Sequence, residues 1–480
     1  MIKVIHKILF FCLLIATFLF GSMAFAQLPE SVLSALQKAN IPLQNVAVYV
    51  QALDEKQPII SHNANQPFNP ASVMKLVTTN AALDLLGPAY RWHTEIYRDG
   101  VLSNGVLNGN LIIKGYGDPS LNEAETRRLL VSLQQAGVKQ IRGNLLLDKS
   151  YFASTAANSG MFDAETYRAY NAMPSALLVN SRATSFKFQT LAGKANVVQE
   201  VEVPEIKIIN QLMVTQGDCV DWRNKFKYVI QAEKDSAIIT FKGNYSTDCG
   251  EKYLELSLFD DNQYAYFIFR KLWQELGGGF KGIWQSQANM PASAVKLVSQ
   301  DSKPLADVLK DINKYSNNLM ARQLLLTLAA EKNSVKKSGM PATEVLGEQA
   351  IRAWLLSKHM VFSELVIENG SGLSRVERIS AQHLADLLVS TYHSPVMPEF
   401  MSSLPILGTD GTLIKRLKDS PIIGRAHLKT GSIDGVSSIA GYVLDANNKR
   451  WAVVFLVNHA QAASAKTAQD ALIEWVYSLP

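Results

Sequence analysis

Cysteine is nearly missing. The 480 residues hold three, Cys12, Cys219 and Cys249, too few for a disulfide-dense scaffold or for a zinc site built from cysteines alone. Histidine offers no substitute: His62, His93, His359, His383, His393, His427 and His459 form no His-Glu-x-x-His or other paired-ligand spacing, so no metal centre is expected. Charge imbalance is small as well, with 47 Lys and Arg against 42 Asp and Glu for a formal +5. No basic tail or low-complexity run concentrates it, and nucleic acid is not an expected partner. A Gly-x-Ser-x-Gly elbow is also absent, which sets aside Ser-His-Asp chemistry of the α/β-hydrolase kind.

What is present begins with an export signal. Lys3 and Lys7 form a basic start, Ile8 to Phe20 an apolar run, and Ala24-Phe25-Ala26 a small-x-small cleavage triplet. The run is shorter than the about 20 residues of a spanning helix, so residues 1–26 are expected to be cleaved rather than kept as an anchor. That implies a periplasmic protein with at most loose membrane association. Losing Lys3 and Lys7 and no acid lowers the formal charge from +5 to +3. Cys219 and Cys249 are then the remaining thiols, 30 residues apart; a disulfide suits an oxidising compartment, with two unpaired buried thiols as the alternative.

Some 450 mature residues imply two or three domains. Val46 to Ala52 is β-branched and alternating, and Gln57 to Ser61 offers a hairpin partner. From Ser72 the period turns helical through Val73, Leu76, Val77, Ala81, Leu83 and Leu86, and Gly87-Pro88 stops it. Near the other end, His427 to Ser432, Ser438 to Leu444 and Trp451 to Val457 read as strands, and Ala462 to Tyr477 as a helix. The two ends are expected to form one antiparallel sheet flanked by helices, an α+β arrangement with the β-rich middle as an insertion. Helices are expected there at Glu123 to Ala136 and Asn262 to Leu276. The division expected is 27–88 with 300–480, then 89–182 with 271–299, then a nested 183–270.

The chemistry rests on Ser-x-x-Lys, a weak pattern that occurs three times: Ser72/Lys75, Ser293/Lys296 and Ser334/Lys337. A serine hydroxyl needs a base, and a lysine one turn on serves only if its amine is neutral. Neutrality at pH 7 takes a pKa drop of about 3 units through burial and a second nearby cation. Lys429-Thr430-Gly431 and Lys337-Ser338-Gly339 offer that cation, and Ser316-Asn317-Asn318 a hydroxyl and an amide. "PASVMKLV" (Pro70 to Val77) almost recurs as "PASAVKLV" (Pro291 to Val298). The second copy runs into a polar stretch and Pro304, and reads as a strand.

The ordered set Ser72/Lys75, Ser316/Asn318, Lys429/Thr430/Gly431 resembles the penicillin-recognising serine peptidases and β-lactamases. The 241 residues from Lys75 to Ser316 are similar to the long insertion of the D-alanyl-D-alanine carboxypeptidase/endopeptidases, the low-molecular-mass class C penicillin-binding proteins (peptidase family S13). "GYGDPSL" (115–121), "DKSYF" (148–152), "KYSNNLMARQLL" (314–325), "NGSGLSR" (369–375), "GTDGTL" (408–413) and "KTGSIDGVSSIAGYV" (429–443) resemble that family too.

The resemblance implies a transpeptidase/β-lactamase-like domain with large inserted β-rich domains, acting on peptidoglycan stem peptides and acylated by β-lactam antibiotics, with no cofactor. It makes Ser72 the nucleophile, Lys75 its base, Ser316 a proton relay, Asn318 a ligand for the peptide carbonyl and Lys429 a source of positive potential. Thr430 and Ser432 would hold the terminal carboxylate, the backbone N–H groups of Ser72 and Ser432 the oxyanion, and Gly431 would be part of the same substrate-binding stretch. Asp148 and Arg375 are expected near the substrate. Asp434, two beyond Ser432, departs from the neutral side chain that a carboxylate-ended substrate would favour. No Glu-x-x-Leu-Asn element is found, so β-lactams should acylate and stay. A Ser/Lys β-lactamase or esterase, and a catalytically silent penicillin-binding sensor, are the competing functions.

Overall fold

A computed structural model of the chain describes residues 27–154, 162–287, 290–332 and 338–480; the expected signal segment, Ser334 and Lys337 lie outside them. The chain ends meet in one antiparallel sheet, ordered Ala426–Ile433, Val436–Leu444, Arg450–Asn458, Val46–Ala52, Ile60–His62. Every residue of Val46–Ala52 is buried because both faces of the sheet are covered. Ala47 and Tyr49 face a core with Leu76, Leu324 and Leu384. Val46, Val48 and Val50 alternate to the opposite face, against Val32, Leu36, Leu472 and Val476. The first layer thus includes the helices Lys75–Leu86, Asn318–Glu331 and Ala381–Tyr392, the second Glu30–Lys38 and Lys466–Tyr477. The hairpin partner is shorter than its sequence suggested, Ile60–His62, since Gln57 and Pro58 lie in the connection.

Residues between these ends build a separate β-rich body. The strands His93–Ser103 and Val106–Gly115 pair antiparallel, Leu145–Asp148 adds parallel to the second, and Val295–Asp301 closes the edge beside the first. Helices Glu123–Gln135 and Asp261–Glu275 carry buried faces. Two three-stranded sheets follow within 184–256, one of Thr184–Leu191, Lys194–Gln199 and Lys252–Leu256, the other of Ile206–Thr215, Phe226–Ala232 and Ala237–Ser246. Their apolar faces join a cluster running from Ile96 to Val298, distinct from the two cores of the first sheet. Cys219 and Cys249 form a disulfide, with Cα atoms 4.8 Å apart. The second octapeptide ends in the Val295–Asp301 strand. There Ser293 donates to Asp99 (2.7 Å) and Lys296 to Glu95 (2.5 Å), so its serine and lysine serve different partners.

Candidate active site

Ser72 does not sit in the α-helix its periodicity suggested. It lies in a 3₁₀ turn, Ala71–Met74, leading into the helix Lys75–Leu86. The turn is strained: Ala71 has φ 44°, a conformation that costs a non-glycine residue about 1–2 kcal/mol. Surrounding groups hold it. The Asn69 amide accepts from the Ala71 N–H (2.9 Å) and donates to the Ser374 carbonyl (2.9 Å). Asn458 grips the Asn69 backbone at both ends, accepting at 2.8 Å and donating at 3.0 Å. The Ser438 hydroxyl donates to the Pro70 carbonyl (2.5 Å).

Lys75 is fully buried, with its Nζ 3.0 Å from Ser72 Oγ, 2.6 Å from Asn318 Oδ1 and 2.5 Å from the Ser371 carbonyl. Burial, and then the charge of Lys429, push its pKa well below the usual lysine value, with Glu377 opposing them. A neutral amine has two N–H groups and one lone pair. Two of its neighbours are carbonyl acceptors, so the lone pair is left for the Ser72 hydroxyl proton.

Lys429, also fully buried, donates to Ser316 Oγ (2.9 Å) and to the Thr430 carbonyl (2.7 Å). Burial brings its pKa down to about 7. Ser316 has φ 58°; its loop is fastened by the Asn317 N–H on the Ile312 carbonyl (3.0 Å) and by the Asn317 side chain capping the next helix at Met320 (3.0 Å). The amide N–H₂ of Asn318 has no hydrogen bond to a described residue, while its oxygen is taken by Lys75.

Lys429, Thr430, Gly431 and Ser432 belong to Ala426–Ile433, the edge strand of the sheet. The ladder closes at Ile433 with Val436. Antiparallel alternation then leaves Ser432 in a non-hydrogen-bonded pair with Ser437, its N–H turned outward at the edge. Gly431 explains how close that edge comes: a Cβ there would lie 2.2 Å from Ser438 Oγ and 2.9 Å from the Ser72 nitrogen. Thr430 donates to Thr412 Oγ1 (2.8 Å).

Arg375 donates to the Asp434 carbonyl (2.8 Å) in the turn after Ser432, and its guanidinium lies 4.8 Å over the Phe162 ring. Asp434 meets the site through its backbone. Asp148 is not part of this assembly. Fully buried at the end of its strand, it pairs with Lys114 (3.2 Å) and accepts from the Ser150 N–H and hydroxyl (2.9 and 2.6 Å), which occupies its carboxylate within the inserted body.

Sequence reasoning missed Glu377. This buried carboxylate accepts the N–H groups of Glu368, Asn369 and Gly370, each at 3.0 Å, fixing the loop whose Ser371 carbonyl meets Lys75. Burial raises its pKa. Its position two residues after Arg375 carried no signal of that role.

A nucleophile turn facing an edge strand, with two buried lysines between them, defines a serine acyl-transfer enzyme of the penicillin-binding class. The chain matches the D-Ala-D-Ala carboxypeptidase 3 (S13) family over residues 28–479 and belongs to it. It is 27% identical over 443 residues to the D-alanyl-D-alanine carboxypeptidase DacB of Haemophilus influenzae, covering 91% of this chain and 90% of that one. To the D-alanyl-D-alanine carboxypeptidase of an Actinomadura species it is 25% identical over 439 residues (87% and 78%). Among solved structures, penicillin-binding protein 4 of Haemophilus influenzae superimposes with a TM-score of 0.76 at 26% identity, covering 93% of this chain and 99% of that one. The same protein in complex with a β-lactam gives 0.72 at 25% identity, covering 94% and 100%.

Proposed function

We propose that the protein is an exported D,D-peptidase that cuts the D-Ala-D-Ala ends or D-Ala-diaminoacid cross-links of peptidoglycan through an acyl-enzyme on Ser72. Ser72 Oγ attacks the D-Ala carbonyl carbon as its proton passes to the neutral Lys75 amine. The N–H groups of Ser72 and Ser432 receive the oxyanion, where one donor is typically worth about 3 to 4 kcal/mol. The C–N bond breaks as Ser316 gives its proton to the leaving amine and is refilled by the one Lys75 took, which leaves Lys75 neutral again. Water, deprotonated by Lys75, then cleaves the ester and releases the shortened peptide. Lys429, as a cation, faces the terminal carboxylate together with Thr430, while Asn318 uses its free N–H₂ on the peptide carbonyl.

The observation that carries this reading is the partner set of the Lys75 amine, two carbonyl acceptors and one hydroxyl. A β-lactamase is disfavoured because no glutamate of the Glu-x-x-Leu-Asn type stands ready for a deacylating water; a silent sensor is disfavoured by the complete set of reacting side chains. The basic-apolar-small pattern of residues 1–26 supports export and residence in the periplasm. Labelled penicillin on intact protein, followed by peptide mapping, is expected to place a long-lived adduct on Ser72. An adduct on Ser293, or none, rejects the assignment.

A further inference from the structure

Beside the Ser316 loop, and reaching away from Ser72, lies a cavity of about 590 Å³ walled on its far side by the inserted body. Its volume is that of a small-ligand site. Asn180 and Ser181 of that wall, and Arg182 behind it, are three consecutive non-glycine residues with φ 49°, 55° and 57°, each conformation costing on the order of 1 kcal/mol. Arg182 donates to Ser257 Oγ (2.7 Å) and Asn180 accepts the Glu123 N–H (2.8 Å), so the turn is locked from behind. Ser181, between them, lines the cavity with a hydroxyl that has no hydrogen-bond partner among the described residues. Opposite stands Ser316, equally left-handed. Strain kept on two facing walls is a mark of ligand-binding geometry.

The chemistry of the lining selects the ligand. Tyr315, 70% exposed, offers an aromatic ring, and Tyr170 lines the cavity with its ring under the Arg168 guanidinium (5.7 Å) and its hydroxyl donating to Asp163 (2.8 Å). Glu200 and Glu255 line the cavity and accept no hydrogen bond from any described residue. Lys187 feels Glu200 and Arg223 feels Glu255 at a distance, and Arg168 lies over Tyr170, but no lysine or arginine is among the described lining residues. Two free carboxylates repel an anionic peptide and suit a ligand rich in hydroxyl and amide donors; aromatic faces suit the C–H face of a pyranose.

We propose that this cavity is a saccharide subsite, taking an N-acetylated amino sugar of the glycan strand that bears the stem peptide. The proposal rests on the D,D-peptidase reading for its substrate, and it makes Ser181, Glu200 and Glu255 specificity-determining residues outside the reacting centre. An N-acetylglucosamine tetramer titrated into the intact protein by calorimetry is expected to bind, and to bind weakly or not at all to the Glu200→Gln/Glu255→Gln variant. In turnover, a disaccharide-linked pentapeptide is expected to show a KM on the order of tenfold below that of the same peptide without sugar, at equal kcat. The variant should merge the two KM values and leave penicillin acylation unchanged. A tetramer that does not bind, equal KM values in the wild type, or a preference that survives in the variant overturns the proposal. So does a variant effect that follows the peptide's side-chain amine instead of the sugar. Failure of penicillin to label Ser72 would reject the peptidase reading, while the tetramer titration would still decide the cavity.

Discussion

Burial lowers the pKa of both cleft lysines, and the neighbouring Lys429 charge lowers Lys75 further, with Glu377 opposing, which favours a neutral amine on Lys75 beside a cation on Lys429. The arrangement is costly to the fold. A lysine whose pKa falls to about 7 in the folded state binds fewer protons there than in the unfolded chain between about pH 7 and 10.4. Stability therefore rises with pH through that window, and below it the protein carries the whole penalty, about 5 kcal/mol for Lys429. Lys429→Met removes the penalty and loses two hydrogen bonds of roughly 1 kcal/mol each. It is expected to unfold at higher denaturant than wild type at pH 6.5, by about 2 kcal/mol or more, with the advantage fading towards pH 10. Penicillin acylation should be nearly abolished. A variant less stable than wild type at pH 6.5 would contradict this account of the cleft's electrostatics.

At the level of elements, the site is a seam between the nucleophile turn and the edge strand, and glycines set its width. Gly372, at φ 79°, packs so closely that a Cβ would sit 1.8 Å from the Ala71 carbonyl oxygen. Gly431 has no special backbone angle; contact alone demands it. Gly431→Ala is therefore expected to push the strand away from Ser72, part the two oxyanion donors and slow penicillin acylation by about 100-fold or more. Gly435, in the turn that follows, has φ 76° and nothing within 4 Å of a built Cβ. Gly435→Ala should cost only about 1–2 kcal/mol of stability and leave acylation intact, as measured by burst labelling of both variants. Equal acylation rates would refute the seam. This contrast also marks what the sequence could disclose. The order Ser72/Lys75, Ser316/Asn318, Lys429/Thr430/Gly431 was readable because it is linear, and so was the shared sheet, because Val46–Ala52 and Arg450–Asn458 are runs of β-formers. The 3₁₀ turn at Ser72 was not, since its strain is held by Asn458 and Ser438 from distant segments, acting on Asn69 and Pro70 beside it. Neither was Glu377, whose burial depends on three backbone N–H groups, nor the engagement of Asp148 by Lys114, which depends on strand pairing at Lys114 with Asp148.

Over the whole molecule, the reacting groups and the inserted strands belong to different cores. The helix that carries Lys75 packs through Leu76 and Val77 in a cluster with Leu324 and Leu384, whereas the strands of 184–256 pack with Ile96, Leu130 and Trp273. The Cys219–Cys249 bond closes a loop wholly inside the second of these. A loop of that length is worth about 3 to 4 kcal/mol in chain-entropy terms, and the loss should fall on the inserted strands before it reaches Ser72. A Cys219→Ser/Cys249→Ser variant is accordingly expected to show an early, separate unfolding transition and faster proteolytic cutting within 184–256. Its penicillin acylation below that transition should match the wild type. Sugar-dependent lowering of KM should nonetheless weaken as that transition begins, because Glu200 and Glu255 ride on the loosened strands. Acylation lost in step with the first transition would mean instead that the two cores unfold as one unit.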